Sequence, residues 1–299
     1  MKNRHFILSV LLVFLIPVPG CTAQNNVHPA PPESEERMRE MDAKQKEANR
    51  QASQELISRM SLRTMFPDER VRALANAAGR GRIEQIEQLV AQGIDVNARG
   101  TSGATPLYLP IRQGNVTGFK KLLELGADPN VIYEDGTSVM YFVASEDNLE
   151  FLQLALKHGA DPNLVSGRRS LALEKQGVYM GFVGQTPIVH AILYNRNPIQ
   201  AIDLLLKAGA DINARESLMH GGTPLISSTS GKRYDVTLAL LERGADYTIK
   251  AEGNGRTWGL LDRISRDRRL LMPDSEQMQQ LVKVIEWLAE RGVDIPEEE

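Results

Sequence analysis

The sequence is poor in the residues from which catalytic centres are usually built. One cysteine in 299 residues excludes an internal disulfide, a cysteine-rich zinc site and a thiol relay. Aromatics make up only 5%. Neither sign of charge dominates: 35 Lys and Arg stand against 38 Asp and Glu, a formal net charge of −3. That balance excludes the strongly basic profile of a nucleic-acid binder. The five histidines, His5, His28, His158, His190 and His220, are scattered, and none has a neighbour at metal-ligand spacing. Gly-x-Ser-x-Gly, His-Glu-x-x-His and phosphate-binding glycine loops are all missing. No enzymatic activity, metal, cofactor or small-molecule substrate is therefore expected. What is present is a hydrophobic content of 42%, enough to bury a core.

The chain opens as an export signal. Lys2 and Arg4 precede an apolar run over 6–16 broken only by Ser9. As a helix that run reaches about 16 Å at 1.5 Å per residue. A bilayer core of about 30 Å needs a longer one, so 1–20 reads as a signal peptide and not a membrane span. Val18-Pro19-Gly20-Cys21 follows and resembles a bacterial lipobox, with Pro19 departing from the usual small residue. The resemblance implies lipidation of Cys21, which would become the mature N-terminus. Thr22 stands where an aspartate would retain the protein at the inner membrane, which points to the outer membrane, facing the periplasm. Ordinary cleavage that leaves Cys21 free is the alternative.

Residues 21–32 form a tether, proline-rich and without apolar period. The segment 33–66 is rich in Glu, Arg, Lys, Gln and Ala up to Arg59, with apolar residues gathered near its end at Leu56, Ile57 and Met60. It reads as a solvated helix that packs only at its C-terminal end. A coiled coil is the alternative, although no a/d seam persists.

The remainder, 67–299, is a repeat. Leu125-Gly126-Ala127-Asp128-Pro129-Asn130 recurs as His158-Gly159-Ala160-Asp161-Pro162-Asn163, as Ala208-Gly209-Ala210-Asp211-Ile212-Asn213 and as Arg243-Gly244-Ala245-Asp246. Weaker copies stand at Gly93 and Gly292, and Gly93, Gly126 and Gly159 fall every 33 residues. A second mark runs in phase: Thr105-Pro106-Leu107, Thr137-Ser138, Thr186-Pro187-Ile188, Thr223-Pro224-Leu225 and a degenerate Thr257-Trp258. Threonine suits a helix N-cap, proline the next position, and glycine the turn after a second helix. These marks resemble the ankyrin repeat, over about 68–295 in six copies. The resemblance implies an all-α solenoid of helix-turn-helix repeats joined by finger loops. Apolar faces such as Phe119, Leu122 and Leu123, or Ile202 and Leu205, would then be buried by stacking neighbours.

Two copies depart from the rule. Eight residues separate Asn97 from Thr105, but 23 separate Asn163 from Thr186. The last copy is also long, and carries Arg263, Arg266, Arg268, Arg269, Leu270, Leu271 and Met272. Each insertion either packs on the scaffold or enlarges a binding surface.

The family resemblance implies protein recognition through the finger tips and the concave side formed by the first helices. Carried over by position, the expected contacts are Arg99, Thr101, Arg112, Gln113, Tyr133, Glu134, Ser145, Tyr194, Arg215 and Lys232. The finger insertion adds Arg168, Arg169, Tyr179 and Phe182. Two biologies fit an exported scaffold of this kind. One is an immunity protein that neutralises a secreted toxic effector, such as a lipase, in the periplasm. The other is a resident structural or stress-protection factor of the envelope.

Overall fold

The computed structural model describes residues 57–166, 184–216, 221–253 and 255–295, all within one unit spanning 45–299. The chain enters through a 3-10 turn at Ile57–Arg59 and a single-turn helix α1 (Leu62–Met65). Among the described residues six antiparallel helix pairs follow. They are α2 (Glu69–Gly79) with α3 (Ile83–Ala91), α4 (Tyr108–Gln113) with α5 (Val116–Glu124), and α6 (Val139–Ser145) with α7 (Leu149–Lys157). Then come α8 (Pro187–Tyr194) with α9 (Pro198–Lys207), α10 (Pro224–Ser230) with α11 (Tyr234–Glu242), and α12 (Leu260–Leu270) with α13 (Glu276–Ala289). Each first helix packs on the first helix of the next pair, and each second helix on the next second helix. The fold is thus the all-α solenoid that the repeat implied. Its one sheet among the described residues is a short hairpin, β1 (Ala251–Gly253) with β2 (Arg256–Trp258).

The core runs unbroken along the stack because each pair is too thin to bury its own apolar face. Phe119, Leu122, Phe151, Leu152, Ile202, Leu205 and Leu240 are all enclosed between neighbouring copies. Phe119 meets Phe151 edge to face at 5.2 Å between ring centres. Helices α2 and α5 approach so closely that a Cβ on Gly118 would overlap the Ala78 carbonyl. The glycines after the second helices, from Gly93 to Gly292, take φ between 72° and 94°, the left-handed turn that ends each copy.

A polar ladder runs beside this core. Asn97 donates from its amide to the Gly126 carbonyl at 3.0 Å and accepts from the Asp128 amide at 2.8 Å. Asn130 makes the same pair with Gly159 and Asp161, and Asn163 with Gly209 and Asp211. Asn213 continues it by accepting from the Asp246 amide at 2.8 Å. The recurring Gly-Ala-Asp and Asn marks are therefore two halves of one joint between successive copies.

The helix starts follow the sequence with four corrections. In the second copy Thr105 and Pro106 precede the helix, which starts at Tyr108 with Leu107 as its N-cap. Pro187 and Pro224 occupy first helical positions, as expected. In the third copy the cap is Ser138, which lies 33 residues after Thr105, and not Thr137. Ser138 Oγ accepts from the Tyr141 amide at 2.9 Å, while the Thr137 hydroxyl donates to Asp135 at 2.6 Å. The Thr223 hydroxyl accepts from the Ile226 amide at 3.4 Å, but Thr186 makes no such bond. Thr257 lies in β2, and α12 starts after Gly259, whose amide donates to Asp262 at 2.7 Å.

Residues 57–66 lie across the first copies as a strap. The described end of the segment read as a helix is a 3-10 turn. Ile57, Met60, Met65 and Phe66 are buried. The Ile57 amide donates to Asp135 at 3.0 Å, 78 residues away. Thr101 Oγ1 donates to the Thr64 carbonyl at 2.7 Å, and Arg112 donates to the Met60 carbonyl at 2.8 Å.

Candidate functional site

Each finger is pinched at its root by one backbone bond. Gly100 donates to Ala104 at 2.7 Å, Tyr133 to Thr137 at 2.8 Å, Ser166 to Gln185 at 2.8 Å and Glu216 to Gly222 at 2.8 Å. The pinch at Ser166 and Gln185 is reinforced by the Gly184 amide donating back to Ser166 at 2.9 Å. The long finger therefore leaves and re-enters the stack at the same two positions as a short one.

Finger roots and first helices together define the surface on which the expected contacts fall. The offset of seven residues from Thr105, Ser138, Thr186 and Thr223 selects Arg112, Ser145, Leu193 and Ser230. Of the expected contacts, Ser145 is half-buried and its hydroxyl donates to the Tyr141 carbonyl at 2.7 Å. Tyr194 is half-buried, its ring stacked 6.3 Å from His190 and 6.0 Å from Tyr141. Gln113, Glu134 and Lys232 are exposed. Arg99 and Arg215 are exposed and do the same work at two joints. Arg99 donates to the Gly103 carbonyl at 3.2 Å and reaches Ile132 of the next finger, and Arg215 donates to Lys250 of the next finger at 3.3 Å. Both brace one finger against its neighbour while leaving donors on the outer side.

Tyr133 is a correction. Only 2% of it is exposed, and its ring packs edge-on to Tyr108 at 5.8 Å. It is a core residue at the finger root, since the alternation Val131 in, Ile132 out, Tyr133 in, Glu134 out turns it inward. Thr101 and Arg112 point to the strap, so the surface of the first two copies is already engaged by the chain itself. Arg168, Arg169, Tyr179, Phe182 and Cys21 lie outside the described residues.

Sequence reasoning missed Leu193, which is 39% exposed, while Leu270 and Met272 of the last insertion are exposed at 65% and 74%. Leu193 sits in Pro187–Tyr194, which is apolar almost all round, so no polar face marked its outer side.

The root of the long finger is unusually polar. His190 is fully buried at the position held by Leu109 and Phe142 in the preceding copies. Its Nε2 meets Ser166 Oγ, which itself donates to the Gln185 carbonyl at 3.1 Å, so Nε2 carries the hydrogen and Nδ1 is bare. Burial lowers the imidazole pKa to about 3. Glu216, at the next finger root, accepts from the Ser227 hydroxyl, and its other oxygen has no partner. Burial raises its pKa to about 7, against the opposing effect of Ser227 and Gln185. Unpartnered buried atoms of Gln185, Thr186, His190 and Glu216 thus gather at one joint, and each costs about 1–3 kcal/mol. Among the described residues no three His, Cys, Asp or Glu converge as a metal site.

A row of helical hairpins with pinched fingers defines a repeat protein whose working surface is its set of finger roots and first helices. The chain belongs to the ankyrin-repeat family: the family model described as Ankyrin repeats (3 copies) matches residues 43–133 and 139–251. The last helix pair lies beyond that match. No curated protein matches the chain. Members of the family are typically non-enzymatic scaffolds for protein–protein interaction.

Proposed function

We propose that this chain is a non-enzymatic binding scaffold that takes a protein partner on the finger roots and first helices of its third to sixth copies. The observation that carries this reading is the strap. Thr101 and Arg112, expected contacts at the first copies, are bonded to 57–66, as is the buried Asp135. The open part of the surface holds Ser145, Leu193, Tyr194, Arg215 and Lys232. Tyrosine and arginine are the side chains that most often anchor interfaces.

The same reading places the scaffold at the bacterial envelope, tethered through Cys21 on the outer membrane and facing the periplasm. It assigns the partner as a secreted toxic effector that the scaffold neutralises by covering its active-site mouth. The support is the signal-like 1–20, the lipobox-like Val18-Pro19-Gly20-Cys21 and the enlarged finger on a rigid stack. Labelled palmitate fed to cells should enter the protein and be lost in Cys21→Ser. Affinity capture with the soluble chain 33–299 should recover one effector, and Tyr194→Ala with Arg215→Ala should release it. Retention of the effector by that double variant refutes the assigned surface. Recovery of only resident envelope proteins from unchallenged cells refutes the immunity role and favours the structural one.

A further inference from the structure

We propose that the row of aromatic rings along the first helices of the second to fourth copies is a seat for an arginine-bearing segment of the protein partner. This rests on the scaffold reading above and adds the chemistry that the partner must bring.

The row is continuous. Between ring centres Tyr108 lies 4.9 Å from Phe142, Phe142 5.0 Å from Tyr141, and Tyr141 6.0 Å from Tyr194. These rings join α4, α6 and α8 in a chain that holds only 5% aromatics. Tyr108 and Tyr141 are buried, while Phe142 and Tyr194 are half-buried and open to the surface. The face of an aromatic ring carries partial negative charge and attracts cations, guanidinium more often than ammonium.

A carboxylate stands at each end of the row. The charge of Glu146 reaches Tyr108, and that of Glu216 reaches Tyr194. Glu146 is half-buried, and its side chain makes no hydrogen bond or ion pair among the described residues. Glu216 is 1% exposed; one of its oxygens accepts from the Ser227 hydroxyl and the other is unpartnered. Burial raises the pKa of both, and Asp147 adds to the rise at Glu146. The cations of this surface are engaged elsewhere. Arg112 donates to the Met60 carbonyl of the strap, Arg196 pairs with Asp147 at 3.3 Å, and Arg215 donates to the Gly221 and Lys250 carbonyls. Lys232 lies a copy further on, after α10.

Carboxylates withdrawn from water without a counter-charge are costly, and a partner that supplies the cation removes that cost. Arginine suits both features of the row. Its fork donates to carboxylate oxygens in pairs, its plane stacks on rings, and its charge does not titrate. Glu146 is the direct acceptor, and buried Glu216 contributes its charge beside Tyr194. An acidic segment would meet two uncompensated carboxylates and the negative ring faces.

The test uses the soluble chain 33–299 and a fluorescent peptide carrying one arginine between leucines. Peptides with citrulline, which keeps the planar end without the charge, and with glutamate serve as controls. Binding is followed by anisotropy from pH 5.5 to 8. The wild type should bind the arginine peptide at least tenfold more tightly than either control. Glu146→Gln should weaken that binding about tenfold with unchanged melting. Wild-type affinity should rise with pH as the carboxylates ionise, and rise less in Glu216→Gln. Of the other groups at the row, burial keeps the three phenols and His190 neutral over this range, and Asp135 and Asp147 are bonded to the Ile57 amide and to Arg196. Equal binding of the arginine and citrulline peptides, or of wild type and Glu146→Gln, overturns the seat. Tighter binding of the glutamate peptide, or no binding of the arginine peptide, also overturns it. The captured partner tells the two readings apart. Release by Tyr194→Ala with Arg215→Ala but retention by Glu146→Gln overturns the seat alone, whereas retention by the double variant overturns the surface itself.

Discussion

At the scale of single residues, two buried ionisable groups at the roots of the long finger and of the finger after it set opposing pH dependences. Glu216 has a raised pKa, so its favourable contribution is complete below pH 4.5 and is lost as the pH rises through about 7. His190 has a lowered pKa, so its contribution is complete above pH 6.5 and is lost as the pH falls toward about 3. Between pH 4.5 and 6.5 the two slopes oppose one another. Urea midpoints across that interval should therefore rise with pH in Glu216→Gln and fall with pH in His190→Gln, by up to about 1.4 kcal/mol per pH unit. Profiles parallel to that of the wild type in both variants would show that neither group titrates as assigned.

Lys232 offers a second residue-scale prediction. Its φ is 54°, at the turn position where Gly81 and Gly114 stand in earlier copies with φ of 65° and 68°. A side chain there costs energy that glycine avoids. Lys232→Gly should stabilise the fold by about 0.5–1 kcal/mol in chemical denaturation. If Lys232 is a contact, the same change should weaken capture of the partner, and an unaltered affinity would remove it from the surface.

At the scale of elements, the helices and their joints were readable because they repeat. The glycine turns, the Thr-Pro starts and the apolar stripes each have a local physical cause, so a copy could be recognised wherever it lay. The exceptions are instructive. Ser138 displaced Thr137 because Asp135, two residues earlier, captures the threonine hydroxyl and amide. Tyr133 turned inward because the finger root alternates like a strand, a pattern only four residues long and too short to stand out. The role of the asparagines was also invisible, since a ladder joining residues 29 to 48 apart cannot be read from any one copy. It predicts that Asn163→Ala, which removes two bonds between the third and fourth copies, lowers stability by about 1–3 kcal/mol. Surface polar changes away from such joints should have much smaller effects. A denaturation midpoint within error of the wild type would show that the ladder decorates the stack without joining it.

At the scale of the whole molecule, repeat proteins need closed ends, because an end copy would otherwise expose the face that its neighbours bury. The strap does this for the first copies in a way that composition could not reveal. A segment with sparse apolar residues looks solvated until its partners, Asp135 and Arg112, are known to lie far along the chain. A chain starting at Asp68 would lose the buried Ile57, Met60, Met65 and Phe66 and leave those two polar partners unmatched. It should melt well below the chain 33–299 in circular dichroism, and should bind hydrophobic dye. Equal melting temperatures would make the strap an incidental contact, and would return Thr101 and Arg112 to the candidate surface.

The pinch between Ser166 and Gln185 has a further consequence. The Asn163 joint to Gly209 and Asp211 is built like those beside short fingers, so the longer stretch between the two pinch residues leaves that joint unchanged. Closing a longer loop adds only a logarithmic entropy cost. The position therefore behaves as a socket: its contents can be exchanged, lengthened or redesigned to meet a different target while the frame that presents them keeps its form.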